Sequence, residues 1–252
     1  MICELPNEAL KFVLWIFNAI LRIGIFPSSW KVSEIIMIPK PGKDISLVTS
    51  YRPISLLSIL SKLFEKIFSD IISTYIETHQ IIPMHQFGFR KKHSTTEPVH
   101  RIVILIRKTY TDKQYCSALF IDISQAFDRV WHDGLILKIC TLLPPNSHKL
   151  LKCYLTNRSF IVKSKNYSSN SRKISAGVPQ GSILGPLLYI LYTADMPTHP
   201  RTHTSTFADD TAFMCMHKNS SVATNILQSH IYNIEKWLDL WKIRVNETKC
   251  VH

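Results

Sequence analysis

The 252-residue chain reads as an α+β protein. Apolar residues recur at helical spacing in several segments and alternate with polar ones in others. These helices and strands stand as separate elements, with no internal repeat or low-complexity tract. Hydrophobic residues make up 46% and aromatics 10%, enough for a core, which excludes a wholly disordered chain. The length allows one large domain or two small ones.

The first element is the apolar stretch 9–26. Lys11, Asn18 and Arg22 share one helical stripe with Trp15 between them, which predicts an amphipathic helix and not a membrane span. Glu4 and Glu8 precede it where a signal peptide would carry basic residues. A short strand at 35–38 runs into the basic turn Pro39-Lys40-Pro41-Gly42-Lys43-Asp44. Leu60, Leu63, Phe64, Ile67, Phe68 and Ile71 give a helix at about 56–75 its apolar face. Ser94 and Glu97 have capping-box spacing, with a third helix following to about Lys108. Residues 117–124 read as a strand, with Leu119, Ile121 and Ile123 on one face and Phe120, Asp122 and Ser124 on the other. Asp133 caps a helix through Leu143 that Pro144-Pro145 ends, and 160–165 form a basic hairpin strand. A glycine turn leads into an apolar helix after Pro186. A strand pair at 204–216 carries Asp209-Asp210 at its turn, and a last helix spans about 222–241.

Lys plus Arg number 30 against 18 Asp plus Glu, a formal charge of +12, which favours a polyanionic partner. From Gly134 to Ala194 there is no acidic residue, while Lys138, Lys149, Lys152, Arg158, Lys163, Lys165, Arg172 and Lys173 all fall there. This stretch is either a solvated basic face or a phosphate-contacting surface, the second being favoured. The six cysteines lack CxxC spacing, so neither a zinc site nor a disulfide framework is indicated, and the chain reads as intracellular.

Asp122 stands mid-strand among apolar residues, where a lone carboxylate is unfavourable. Alone, a satisfied buried aspartate is the simpler reading, as an ordinary turn is for Asp209-Asp210. Were the two β elements neighbours in one sheet, their carboxylates would converge and repel unless divalent cations neutralised them. Such an oxygen-rich site suits Mg²⁺, and two ions would stabilise in-line attack on phosphorus. Three of the chain's seven glycines, Gly177, Gly181 and Gly185, fall within nine residues around Pro179-Gln180-Gly181, a turn that lets backbone approach a ligand.

The order of these segments resembles the reverse transcriptase family. Lys40 lies in Pro-Lys-Pro-Gly-Lys. Then come Tyr51-Arg52-Pro53-Ile54-Ser55, Phe120-Ile121-Asp122 with Phe127-Asp128, Pro179-Gln180-Gly181, and Phe207-Ala208-Asp209-Asp210. Gln86-Phe87-Gly88-Phe89-Arg90 and Gly181-Ser182-Ile183-Leu184-Gly185-Pro186-Leu187 resemble the jockey-like branch of non-LTR retrotransposons.

The resemblance implies a right-hand fold of fingers and palm, the palm a ferredoxin-like antiparallel sheet with packed helices. Residues 1–115 would be fingers with an N-terminal helical extension, 116–140 and 176–252 the two parts of the palm, and 141–175 a basic fingers or connection segment. It implies RNA-templated DNA synthesis on a DNA primer from deoxynucleoside triphosphates, with two Mg²⁺ ions for which Mn²⁺ substitutes. Asp122, Asp209 and the Ile123 carbonyl would hold metal, assisted by Asp210. Lys40 and Arg52 would contact the triphosphate, and Phe127 would exclude a 2′-hydroxyl unless it is simply a core residue. Gln180 and Gly181 would lie at the nascent pair, and Lys249 would be a general acid. Arg90, Lys91, Lys92, Arg158, Lys163 and Lys165 would track template and primer. The resemblance also leads one to expect a fragment without endonuclease or thumb, and nuclear access. A catalytically silent nucleic-acid binder is the alternative. Phe127 argues against an RNA-templated RNA polymerase.

Overall fold

Two sheets divide the elements of the computed structural model, which describes residues 4–252 and so leaves Cys3 outside. In chain order come α1 (Asn7–Ile23), β1 (Val32–Pro39), β2 (Tyr51–Leu56), α2 (Ile59–Thr78) and α3 (Thr96–Thr111). Next are β3 (Tyr115–Asp122), α4 (His132–Leu142), α5 (Pro145–Leu155), β4 (Ser159–Ser164), β5 (Tyr167–Ser168) and β6 (Arg172–Lys173). The chain then forms α6 (Leu184–Tyr192), β7 (His203–Phe207), β8 (Asp210–His217) and α7 (Ser220–Leu240).

The larger sheet runs β2-β1-β4-β5, with β6 beside β4; β1 is antiparallel to β2 and parallel to β4. The smaller is the antiparallel sheet β3-β8-β7. Both of its edges are extended by short bridges. Val245 and Val251 pair with Ile123 and Phe120 beside β3, and Gln86 pairs in parallel with Thr206 beside β7. The resulting antiparallel sheet carries α7 on one face, while α3 packs against β3 and β7.

Alternation along β3 works as its sequence predicts. Ile121 and Leu119 pack with Phe213, Cys215, Leu227 and Ile234 under α7, and Phe120 looks the other way. Ile123 departs from the pattern and joins the main core, because the strand ends at Asp122. That main core gathers Phe17, Phe26, Trp30, Phe64 and Tyr154 in edge-to-face contacts between α1, α2 and α5. Such pairs add about 0.5–1.5 kcal/mol each to area burial.

Four local readings differ from the structure. Residues 51–56, unassigned in the sequence up to the helix start at Leu56, form an edge strand, and α2 begins at Ile59; Pro53 tolerates this because an edge strand has unpaired positions. Pro144-Pro145 does end α4, but Pro145 also opens α5, where a missing N–H costs nothing. Asp133 sits in the first turn of α4 and is not its cap. Half the capping box forms at α3, the Glu97 carboxylate accepting the Ser94 N–H at 3.3 Å while Ser94 Oγ meets Thr96. No described helix is long and apolar enough to cross a membrane, and Cys116, Cys140, Cys153, Cys215 and Cys250 are free.

Lys138, part of the acid-free stretch, lies inside the protein at 5% exposure. Its ammonium meets the Tyr192 carbonyl and the Asp195 carboxylate, and it sits 3.6 Å from the Trp241 ring centroid. Trp237 donates to the same Asp195 oxygen at 3.0 Å, so one cation ties α4 to α6 and α7. Burial pushes its pKa down from 10.5 to about 8, against the opposing pull of Asp195. The unfolded chain therefore binds more protons between those values, and this group makes stability rise with pH across that window. Removing one partner of such a pair destabilises, because the Asp195 carboxylate and the Tyr192 carbonyl lose their cationic donor. Lys138→Met should lower the urea midpoint at pH 7. The wild type should then gain on the variant as pH rises from 8 toward 10, and a pH-independent difference would refute the assignment.

Candidate active site

The β3–β8 ladder places Asp122 directly opposite Asp210. Phe207 pairs with Asp210 across β7–β8, so Ala208 and Asp209 form a two-residue turn and Asp210 is already the first residue of β8. Three carboxylates thus share one end of one sheet, and like charges directly opposite are destabilising. The sequence reading of a shared site therefore holds as geometry.

Two residues near the chain's end answer the charge. Lys249 Nζ lies 3.2 and 3.0 Å from the two Asp122 oxygens. Asn246 donates its side-chain N–H to Asp122 Oδ2 at 3.2 Å and its backbone N–H to the Asp122 carbonyl at 2.8 Å. Among the described residues Asp209 has no such partner. Burial raises its carboxyl above the usual carboxylate range, Asp210 and Asp122 raise it further, and its own N–H and Lys249 oppose them.

Among the described residues no three His, Cys, Asp or Glu side chains converge as a metal set. Mg²⁺ does not require one, since it is usually bound through one or two carboxylates plus water and substrate phosphates. Two mutually repelling carboxylates, Asp122 and Asp209, fit such an ion. The Ile123 carbonyl follows Asp122 in the chain and accepts no hydrogen bond from a described residue.

A second group of residues meets at the glycine turn. The Gln180 carbonyl accepts the Ser55 N–H of β2 at 2.7 Å, and Gln180 Nε2 donates to Asp128 at 2.9 Å. Gly181 has φ +105°, and a Cβ there would lie 2.8 Å from the Ser55 carbonyl, so no side chain fits. Arg52 is exposed on β2, opposite Ile38 and three residues before Ser55. Lys40 Nζ donates to the Thr49 carbonyl at 2.8 Å. Burial raises the Asp128 carboxyl, while Gln180 and then Lys40 pull it down. Phe127 is half-buried, stacked on Tyr189 at 5.1 Å with Phe89 edge-on at 5.8 Å.

The basic residues separate into two kinds. Lys92 and Lys165 are exposed, Lys91 pairs with Asp70 at 2.6 Å, and Lys163 pairs with Glu34 at 2.7 Å. Arg158 is a correction: it is 1% exposed, with its guanidinium over the Tyr154 ring and Nη1 donating to the Tyr154 carbonyl. A guanidinium so enclosed cannot reach a phosphate backbone. Arg90 likewise turns inward, to Glu77 at 2.7 Å and to the carbonyls of Pro83 and Gln86.

Sequence reasoning missed Glu65. Fully buried on α2, it accepts the N–H groups of Ile183 and Leu184 at 2.9 and 3.2 Å through one oxygen, and Ser61 Oγ at 3.0 Å through the other. It thereby holds the N-terminus of α6 and the glycine turn before it, where a carboxylate is favoured. Ser61 and Glu65 lie on one helical stripe with Phe68 and Ile72, and that was the available signal.

The Reverse transcriptase (RNA-dependent DNA polymerase) family matches residues 38–252. Two Drosophila melanogaster proteins are similar to nearly the whole chain. A probable RNA-directed DNA polymerase from transposon BS is 44% identical over 98% of it. The RNA-directed DNA polymerase from mobile element jockey is 43% identical over 98%. The chain spans 28% of the length of each. Among solved structures, apo telomerase from Candida tropicalis, truncated from its C-terminal domain, superposes with a TM-score of 0.61 at 15% identity. That match covers 96% of this chain and 54% of that one. Telomerase from Candida albicans gives 0.61 at 16% identity, covering 98% and 47%. A carboxylate-bearing antiparallel sheet, this polymerase fold and a family match across residues 38–252 lead to one conclusion: the chain belongs to the reverse transcriptase family.

Proposed function

We propose that the chain is the RNA-directed DNA polymerase domain of a non-LTR mobile element, joining deoxynucleotides to the 3′ end of a DNA primer on an RNA template. The observation that carries this reading is the convergence of Asp122, Asp209 and Asp210 at one sheet end. Residues 116–140 and 176–252 would form the palm, with 1–115 and 141–175 as fingers and connection. Work on a retrotransposon's target DNA would take the protein to the nucleus.

Asp122 and Asp209, with the Ile123 carbonyl, would hold two Mg²⁺ ions, Mn²⁺ substituting. Bound there, such ions supply activation of the primer hydroxyl and neutralisation of phosphate charge. Asp210 would orient this pair. Lys40 and Arg52 would neutralise the triphosphate, a role that suits an exposed guanidinium such as that of Arg52. Gln180, tied to Asp128 and to the Ser55 backbone, would steady the nascent pair together with Gly181. The Phe127 ring, braced by Tyr189 and Phe89, would fill the space a 2′-hydroxyl needs. Lys249 would deliver a proton to the departing pyrophosphate once released from Asp122. Lys91, Lys92, Lys163 and Lys165 would contact template and primer phosphates.

Primer extension tests the reading with the purified chain, an RNA template, an annealed DNA primer, Mg²⁺ and deoxynucleotides. Asp209→Asn should lower extension at least about a hundredfold with the fold intact. Equal activity in wild type and variant would remove the site, and folded wild type that binds the duplex without extending it would indicate a silent binder. Phe127→Ala should relax discrimination against ribonucleotides on the order of a hundredfold. Unchanged discrimination would make Phe127 a core residue only.

A further inference from the structure

We infer that Gln86 is a positioning residue for the carboxylate turn, its side-chain oxygen holding the Ala208 N–H and so setting where Asp209 stands. The inference rests on the polymerase reading for its kinetic part and on geometry for the rest.

Ala208 has φ +60°, a left-handed conformation at the first central position of the hairpin turn. Two-residue turns with positive φ at that position alone normally take glycine. A non-glycine residue keeps such a conformation only where its surroundings over-determine it. Those surroundings come from residues 85–90, which belong to neither strand of the hairpin. Gln86 is 5% exposed, and its Oε1 accepts the Gly88 N–H at 2.8 Å and the Ala208 N–H at 3.2 Å. The Thr206 N–H donates to the His85 carbonyl at 2.8 Å, and the Phe87 N–H donates to the Thr206 carbonyl at 2.9 Å.

The approach is close enough to forbid a side chain at residue 88. A Cβ on Gly88 would stand 2.2 Å from the Ala208 nitrogen and 2.9 Å from the Phe207 carbonyl carbon. The strap is fastened from behind as well. Arg90 Nη1 donates to the Gln86 carbonyl at 3.3 Å while its other nitrogens hold Glu77 of α2. Gln86-Phe87-Gly88-Phe89-Arg90 thus acquires a physical meaning. Gln86 is the acceptor, Gly88 permits contact, Phe89 braces Phe127, and Arg90 locks the loop to α2.

Three variants of the full chain test this: Gln86→Leu removes the acceptor, Gln86→Glu keeps one, and Gly88→Ala pushes the strap away. The first readout is amide hydrogen exchange at Ala208 in the free protein. Exchange should quicken about tenfold or more in Gln86→Leu and Gly88→Ala and stay protected in Gln86→Glu. The second is primer extension titrated with Mg²⁺. Gln86→Leu should lower kcat about tenfold and raise the Mg²⁺ half-saturation, with KM for the deoxynucleotide little changed. A merely structural glutamine would lower thermal stability without moving the Mg²⁺ dependence, and that result would overturn the inference. So would unchanged Ala208 exchange in Gln86→Leu, or, should that variant not fold, in Gly88→Ala. If wild type and Asp209→Asn prove equally inactive, the polymerase reading fails while the exchange experiment still decides the role of Gln86.

Discussion

Asp122 faces Asp210 across two hydrogen-bonded strands and Asp209 stands in the turn beside them, so three like charges crowd one end of a small sheet. Much of the surrounding structure answers that repulsion. The segment 244–251 extends the sheet beside β3 and in the same pass delivers Asn246 and Lys249 to the Asp122 carboxylate. One stretch of chain thus supplies backbone pairing and counter-charge together. Among the described residues no cation contacts Asp209, and its raised proton affinity records that desolvation and crowding.

The loops that complete the site depend on acceptors buried outside the carboxylate sheet. Glu65 takes two backbone N–H groups at the start of α6, and Gln86 takes two at the strap and the turn. A buried donor left unpaired costs about 1–3 kcal/mol, so each acceptor constrains its loop strongly. Both are anchored through α2, Glu65 directly and Gln86 by way of the Arg90–Glu77 pair. The position of the glycine turn relative to the carboxylates is therefore tied to α2. A strained Ala208 and a half-buried aromatic pair persist against that rigid support.

The excess of positive charge is divided in the same way. Lys31, Lys138 and Arg158 are buried, where one rests on Cys153, one in an aromatic box and one over Tyr154. Lys92 and Lys165 are exposed, while Lys91 and Lys163 are held in exposed ion pairs that contribute little to stability. The acid-free stretch is thus partly surface and partly internal bracing. A charge count along the chain could not separate the two, because it does not see which face of an element a side chain occupies.

Local pattern alone determined the element types, the alternation along β3, the glycine turn and the candidate carboxylates, since each depends on a few neighbouring residues. It missed β2 and α5, where proline carries opposite meanings at a strand edge and at a helix start. It placed Asp133 as a cap and Arg158 on the surface, and it passed over Glu65, Asn246 and the task of Gln86. The last three depend on partners 118 to 124 residues away in the chain, as the contacts of Glu65 with Ile183, Gln86 with Ala208 and Asn246 with Asp122 show. The sequence by itself determined which residues carry charge, turn and bulk. Only the tertiary structure decided which of them meet, because a hydrogen bond or ion pair forms over about 3 Å of space whatever the separation along the chain.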